Sequence, residues 1–401
     1  MTVRNYYTDA YTMQFPATVL TNIDLDGRPA VALAQSYFYP TSGGQRHDLG
    51  RIGERQVVDV LVQEADNAVL HVLDRPLAAG DYSAEIDWTR RFDHMQQHSG
   101  QHILSQAFIQ VANAPTVGFH MGDNACTIDL DIKQLSADLL SAAESLANQI
   151  VWENRPINCY FIDKTEIPNY PLRKVPDVAG DKLRIVDITE FDVNACGGTH
   201  VRHTGEVGII KITKLERIRK RVRVEFRCGQ RALQDYGVKN DILATLANNL
   251  TCAQTDLPKI IGNLSSDLKK ANKALKKAKS QLLQAEAAQL LDSAESVNGL
   301  QIVQHVFERR DAGEVRQLAN QVGRNSNTVA LFGLAGKNGM LMLARAKDVS
   351  GSMQTLLQSA LNEIGGSGGG SDQFAQGGGL PLNSAEIQTL LSSIRQSLLD
   401  L

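Results

Sequence analysis

Two histidine-bearing motifs, His98-Ser-Gly-Gln-His102 and Cys196-Gly-Gly-Thr-His200, constrain this chain more than any other feature of its sequence. Together they supply four donors of the kind Zn²⁺ prefers, drawn from segments far apart in the chain. Within each pair the donors are four residues apart. That spacing puts two side chains on one face of a helix, or brings them together across a glycine-rich turn. The chain reads as a metal-dependent hydrolase.

At 401 residues the chain is too long for one ordinary core, and two or three domains are expected. The net charge of −3 argues against wholesale coating of nucleic acid but averages over acidic and basic stretches. Cys126, Cys159, Cys196, Cys228 and Cys252 are odd in number and scattered, unlike a secreted disulfide framework, which favours a reducing cytoplasm. No signal-like apolar run opens the chain, and no segment approaches the roughly 20 apolar residues that span a bilayer, so a soluble protein without a membrane partner is expected.

Between 14 and 87, short β-rich runs at Ala17–Leu20, Val31–Phe38, Gln56–Gln63, Asn67–Leu73 and Tyr82–Ile86 alternate with turn signals and predict a small β-barrel or curled sheet. From Trp88 to Val111 the three- and four-residue steps of Met95, His98, His102, Ser105 and Ile109 predict a helix that Pro115 ends. Strands follow at Cys126–Leu130, Ile157–Ile162, Arg184–Ile188, Gly208–Leu215 and Val222–Phe226, with a helix over about 135–152. The second motif falls in a loop between two of these strands.

Between 261 and 285, Ile261, Leu264, Leu268, Ala271, Leu275, Ala278, Leu282 and Ala285 form a heptad seam. Beyond Asn298 an α/β unit is expected, with strands at Leu300–Val303, Thr328–Phe332 and Met340–Ala344 and helices from about 311 and 352. The glycine run Gly365 to Gly379 reads as a flexible linker or, because Phe374 and Ala375 interrupt it, as an ordered loop before an amphipathic terminal helix.

His94, His98 and His102 are evenly spaced, and His98 with His102 is the favoured pair because each leads into the apolar face at Ile103. A lone buried histidine is usually structural, whereas two motifs of matching spacing point to a metal. Four protein ligands held at once would resemble a closed structural zinc; a catalytic ion needs a fifth position or a yielding ligand.

The loop Phe38-Tyr-Pro-Thr-Ser-Gly-Gly-Gln45 offers Thr41, Ser42 and Gln45 beside two glycines. This loop, Asp48-Leu-Gly50, Trp88-Thr-Arg-Arg with His98 and His102, Thr127-Ile-Asp129, and Cys196-Gly-Gly-Thr-His200 followed by Thr204-Gly-Glu-Val-Gly208 stand in the order seen in alanyl-tRNA synthetase editing domains. The chain resembles their free-standing relatives, the AlaX proteins, and the glycine stretch ending Ala375-Gln-Gly-Gly-Gly379 resembles the DHH-associated C-terminal domain of the long form. No stretch before Met1 could hold an aminoacylation domain, so amino acid activation is not expected.

The resemblance implies that His98, His102, Cys196 and His200 hold Zn²⁺ and that Gln45 positions substrate or water, with Thr41 and Thr127 as weaker catalytic candidates. The implied reaction is trans-editing, deacylation of tRNA(Ala) mischarged with serine or glycine; the alternative is a non-catalytic, zinc-stabilised tRNA-binding module. Arg221, Arg223 and Arg227 line one face of a strand, either solvated or set against tRNA. The Lys-rich seam helix admits an intramolecular hairpin or a homodimer, and the resemblance favours a dimer through it and the C-terminal domain. A DHH-type phosphodiesterase lacks its Asp-His-His motif here, and editing of threonyl-tRNA fits the Ser-Gly-Gly-Gln loop less well.

The expected class is α+β multidomain. Its parts are a small N-terminal β-barrel over 1–87, an α/β zinc-containing editing domain over 88–235, a linker over 236–298 with the coiled-coil helix, and a C-terminal α/β glycine-rich domain over 299–401.

Overall fold

A computed structural model describes residues 2–63, 66–173, 175 and 180–400, which fall into two compact units, Met1–Asn249 and Leu250–Leu401. In the first, strands Gln14–Leu25, Arg28–Leu33, Val69–Leu73, Arg55–Val62, Gly50–Ile52 and Gly80–Ile86 are neighbours in that order and close into a six-stranded antiparallel barrel. Its first strand shows why. Phe15, Ala17 and Val19 point inward and their neighbours outward, so a curled sheet must close to bury one face.

The barrel also buries a histidine. His71 is fully buried, its Nε2 2.8 Å from Ser36 Oγ, and burial lowers its pKa to about 4.

Helix α1 (Trp88–Ala112) begins where the Asp87 side chain accepts from the Arg90 N–H, and ends at Asn113, whose φ of 48° is left-handed, just before Pro115. Met95, Ile103, Leu104 and Phe108 pack into the core, but Arg91, His94, Gln97, His98, Ser99, His102 and Ser105 are buried too. Arg91 carries a buried ion pair. Its guanidinium meets the Asp48 carboxylate of the barrel with both side chains fully buried, and also donates to the Ala10 carbonyl at 2.8 Å. Asp48 in turn accepts from the Tyr39 N–H at 2.6 Å.

Beyond α1 lies a four-stranded sheet in the order Ile210–Ile218, Arg221–Cys228, Cys126–Leu130, Thr116–Met121, with α2 (Ala137–Trp152) contributing Ala143, Ala147 and Ile150 to the shared core. A three-stranded sheet, Ile157–Asp163, Lys182–Ile188 and Asp192–Ala195, leads into the second motif, and α3 (Gly229–Asn249) closes the unit. Strands 50–52, 116–121 and 192–195 and helix α3 are additions to the sequence reading.

The second unit opens with α4 (Leu257–Asp292), a single 36-residue helix. Leu283 and Ala287 pack beneath the sheet, whereas Ile261, Leu264, Leu268, Leu275 and Leu282 of the predicted seam are exposed. A five-stranded sheet runs Glu295–Val297, Leu300–Glu308, Thr328–Arg345, Phe374–Leu382, Ser367–Gly370, with α5 (Ala312–Val322) linking its parallel pair. Helices α6 (Met353–Ile364) and α7 (Ser384–Leu399) cover the face opposite α4 and α5.

Two expectations are revised here. Strands 328–332 and 340–344 are one continuous strand, and the glycine run is neither linker nor loop but two paired strands. Its glycines are steric: a Cβ on Gly377 would sit 2.4 Å from Leu361 of α6 and 2.7 Å from the Gly368 backbone.

Asp48→Ala would leave the Arg91 guanidinium buried and unpaired, at a cost of about 3–5 kcal/mol. A clear drop in the urea midpoint is expected, with Glu54→Ala, at an exposed residue without a side-chain partner among the described residues, as an unshifted reference. His71 predicts acid sensitivity. Its folded pKa lies below the ordinary 6.5, so the unfolded chain binds the extra proton between about pH 6.5 and 4. Stability should fall through that window as pH drops, by up to about 1.4 kcal/mol per unit, and His71→Leu should flatten that slope in pH-dependent denaturation.

Candidate metal centre

His98 and His102 lie one turn apart on α1, and Cys196 and His200 lie in the loop after strand Asp192–Ala195. The fold brings all four together, their donor atoms within 4.8 Å of one another. Cys196 Sγ is 3.4 Å from Nε2 of His98 and 3.4 Å from Nε2 of His200. Nitrogen and sulfur ligands on one tetrahedral ion would be about 3.5 Å apart, given bonds of about 2.0–2.3 Å. The donor set fits a metal.

Two of the imidazoles are hydrogen-bonded from behind, and the third faces a carboxylate. His98 Nδ1 donates to Gln45 Oε1 at 2.8 Å, His200 Nδ1 meets Ser99 Oγ at 3.1 Å, and His102 Nδ1 lies 3.5 Å from Asp192 Oδ2. The last is an ionic contact at the edge of hydrogen-bond range. Such outer partners fix the ring and leave the other nitrogen for an ion. Asp192 is anchored by Arg173, which donates to it at 2.8 Å.

The charges suit the donors. Burial pushes the Cys196 thiol up, but His98, His200 and His102 outweigh it and hold the pKa well below the usual 9. Burial would lower His102, yet the Cys196 and Asp192 charges raise it to about 9, whereas burial brings His200 down to about 3. A thiolate is therefore favoured before any ion arrives.

The loop is shaped for the site. Arg184 is buried and donates to the carbonyls of Cys196 (2.7 Å) and Gly198 (2.9 Å). A Cβ on Gly198 would stand 2.1 Å from His98 Cε1 and 2.9 Å from Gln45 Oε1, so this position must be glycine.

Gln45 joins the cluster as a brace. Its Nε2 donates to Thr199 Oγ1 at 2.8 Å, and its Oε1 also accepts from the Thr199 N–H at 3.1 Å. Thr41 is exposed, its hydroxyl 3.0 Å from His47 Nδ1, and Thr127 sits opposite His120 and Glu225 on the strand face away from Ile128 and Phe119. Neither threonine hydrogen-bonds to the cluster among the described residues. His94 is buried a turn before His98 but stands outside the donor group.

Of the basic strand, Arg223 pairs with Asp129 at 2.7 and 2.8 Å and Arg227 with Asp235, while Arg221 is exposed beside the hairpin turn, where Arg219 takes a left-handed φ of 56°. Ser99, Thr199, Arg184 and Asp192 were not foreseen as site residues. The first two lie inside the motifs, and Arg184 shares a strand face with Val186 and Ile188, where a lone cation is itself a signal. Asp192 carries no local signal.

Comparison with known proteins places these residues in context. The family described as the threonyl and alanyl tRNA synthetase second additional domain matches residues 183–224. The alanyl-tRNA editing protein AlaX-L of Pyrococcus horikoshii is 31% identical over 391 residues, covering 94% of each chain. The alanine–tRNA ligase of Pyrococcus furiosus is 30% identical over 385 residues, 93% of this chain but 41% of the ligase, so the chain spans less than half the length of such ligases. The C-Ala domain of Aquifex aeolicus alanyl-tRNA synthetase matches 25% of this chain at 24% identity, and its TM-score of 0.23 supports no argument about the fold.

If the four donors hold a metal, Gly198→Ala should weaken retention of added Zn²⁺ against a chelator by about 10- to 100-fold, because a Cβ there displaces His98 and Gln45 together. Gly197→Ala is the control, since its Cβ would meet only the Tyr7 ring at 3.7 Å. Equal retention by the two variants would show that the close contact at Gly198 does not set affinity.

Proposed function

Because the chain belongs to the AlaX-type alanyl-tRNA editing proteins, we propose that it deacylates tRNA(Ala) mischarged with serine or glycine, releasing tRNA and amino acid. The observation that carries this reading is the convergence of His98, His102, Cys196 and His200, with His98 and His200 hydrogen-bonded through Nδ1 and His102 facing the Asp192 carboxylate. These four are the proposed holders of Zn²⁺. When bound, zinc would supply Lewis acidity and a water activated near neutral pH.

The chain's own groups do the rest. Gln45 orients His98 and Thr199, and through them the wall against which the ester lies. Thr41 and Thr127 are proposed to meet the serine hydroxyl or the attacking water. A polar group matched to that hydroxyl is left unsatisfied by alanine, at a cost of roughly 1–3 kcal/mol, which spares the correctly charged tRNA. An aminoacyl ester is already activated, so no covalent nucleophile is required, and Cys196 acts as a ligand.

Arg221, Arg223 and Arg227 are the proposed cations for the tRNA backbone, with Arg221 the most available. The exposed leucine seam of α4 supports dimerisation through that helix and the C-terminal region, and the division at 1–87, 88–235, 236–298 and 299–401 is the proposed domain plan. Among the described residues no helix is long and apolar enough to cross a membrane, and a tRNA substrate argues for the cytoplasm.

One observation favours a second reading. Four protein donors would be enough to complete the shell of a structural zinc, and a zinc-stabilised tRNA-binding module would need nothing more. Release of labelled serine from Ser-tRNA(Ala) separates the two, with Ala-tRNA(Ala) and Ser-tRNA(Ser) as controls. Wild type should free serine from the mischarged species alone, and the Cys196→Ala/His200→Ala double variant should not. If zinc-loaded wild type binds the tRNA and leaves all three esters intact, the binding-module reading replaces the enzyme.

A further inference from the structure

Of the three imidazoles in the donor cluster, His102 alone has no hydrogen bond at Nδ1. It faces Asp192 Oδ2 at 3.5 Å, and only 1% of that side chain is exposed. A carboxylate so deeply buried needs a partner. Asp192 has one: Arg173 donates from Nη2 to the same Oδ2 at 2.8 Å, while Oδ1 has no hydrogen-bond partner among the described residues. The Arg173 side chain in turn makes no other ion pair or hydrogen bond among the described residues, and its Nε is buried without a partner.

This pair is not what holds the surrounding segment down. Beyond the 3₁₀ helix Lys164–Asn169, Tyr170 and Leu172 join Ile167 in packing against Ile162, Leu183 and Ile185. A guanidinium drawn inward to meet a buried carboxylate returns little stability for its desolvation. What the contact does supply is direction. A histidine presents one nitrogen to an ion reliably only when the other is held, and Asp192 can hold it only as a charged group turned towards the ring. Without Arg173 that charge would be buried alone, and it would take up a proton or swing towards water.

We propose that Arg173 is a positioning residue of the candidate metal centre: by keeping Asp192 charged and turned to His102, it sets how firmly that ring is offered as a ligand. The inference rests on the reading of the four donors as a metal site and needs no assumption about the reaction. It extends the site to a segment outside both histidine motifs.

The test is retention of added Zn²⁺ by the full chain against a chelator, with the absorption spectrum of the Co²⁺-loaded protein as a second readout of the ligand set. Arg173→Gln should weaken retention about tenfold, the scale of losing a group behind a ligand, and shift the Co²⁺ bands. Arg173→Lys keeps the single charged contact and should restore most of both. In an Asp192→Asn background, Arg173→Gln should cost nothing further, because its effect passes through Asp192. Equal retention by wild type and Arg173→Gln, no rescue by lysine, or an undiminished loss in the Asp192→Asn background overturns the inference and leaves the metal reading standing. If wild type itself holds no zinc, both fall. Urea unfolding of the metal-free proteins should give Arg173→Gln a cooperative transition like that of wild type; failure to fold would assign Arg173 to the fold and overturn its role at the site.

Discussion

The Arg91–Asp48 ion pair is the contact on which the first unit turns. Barrel and α1 have separate apolar cores, and two such bodies could pack in many orientations at similar cost. A buried guanidinium that must find one carboxylate, together with the Ala10 carbonyl, admits far fewer. His98 and His102 ride on the same helix, two and three turns beyond Arg91. Gln45 lies three residues before Asp48, so one side of the pair positions two donors and the other positions their brace.

The candidate metal centre repeats the pattern at shorter range. Its histidines are held by Gln45 from a loop after the first barrel strands, Ser99 from α1 and Asp192 from a strand edge. No two braces come from the same element, and Arg184 holds the loop by its backbone. Precision at the donors thus comes from several distant parts of the chain, which is what a preorganised site requires.

How much of this was legible depends on range. The four donors, the extent of α1 with its stop at Asn113 and Pro115, and the alternating strand Arg221–Cys228 follow from local spacing. So does the barrel. Pairing is another matter: Asp48 and Arg91 stand in separate motifs, and nothing local joins residues 43 apart. Likewise Arg223 and Arg227 read from their spacing as cations either solvated or set against RNA, and their partners Asp129, across the sheet, and Asp235, on α3, carry no local signal. Helix α3 was hidden because its large apolar residues, among them Leu233, Tyr236 and Ile242, face solvent and only Ala232 and Ala247 are buried. The glycine strands escaped because composition argues for a coil, and only the close approach of α6 explains a sheet made of glycine.

The spread of the braces bears on the order in which the molecule can be made. The contacts that set the donors link residues 53, 98 and 101 positions apart, so each closes a long loop before it is rewarded. During synthesis the chain exposes His98 and His102 with their Gln45 brace long before Asp192, Cys196 and His200 exist. A nascent chain can offer an ion no more than a helical histidine pair. The full donor set exists only once the second motif has been made, so any tight capture of an ion by these four residues would report completion of the first unit.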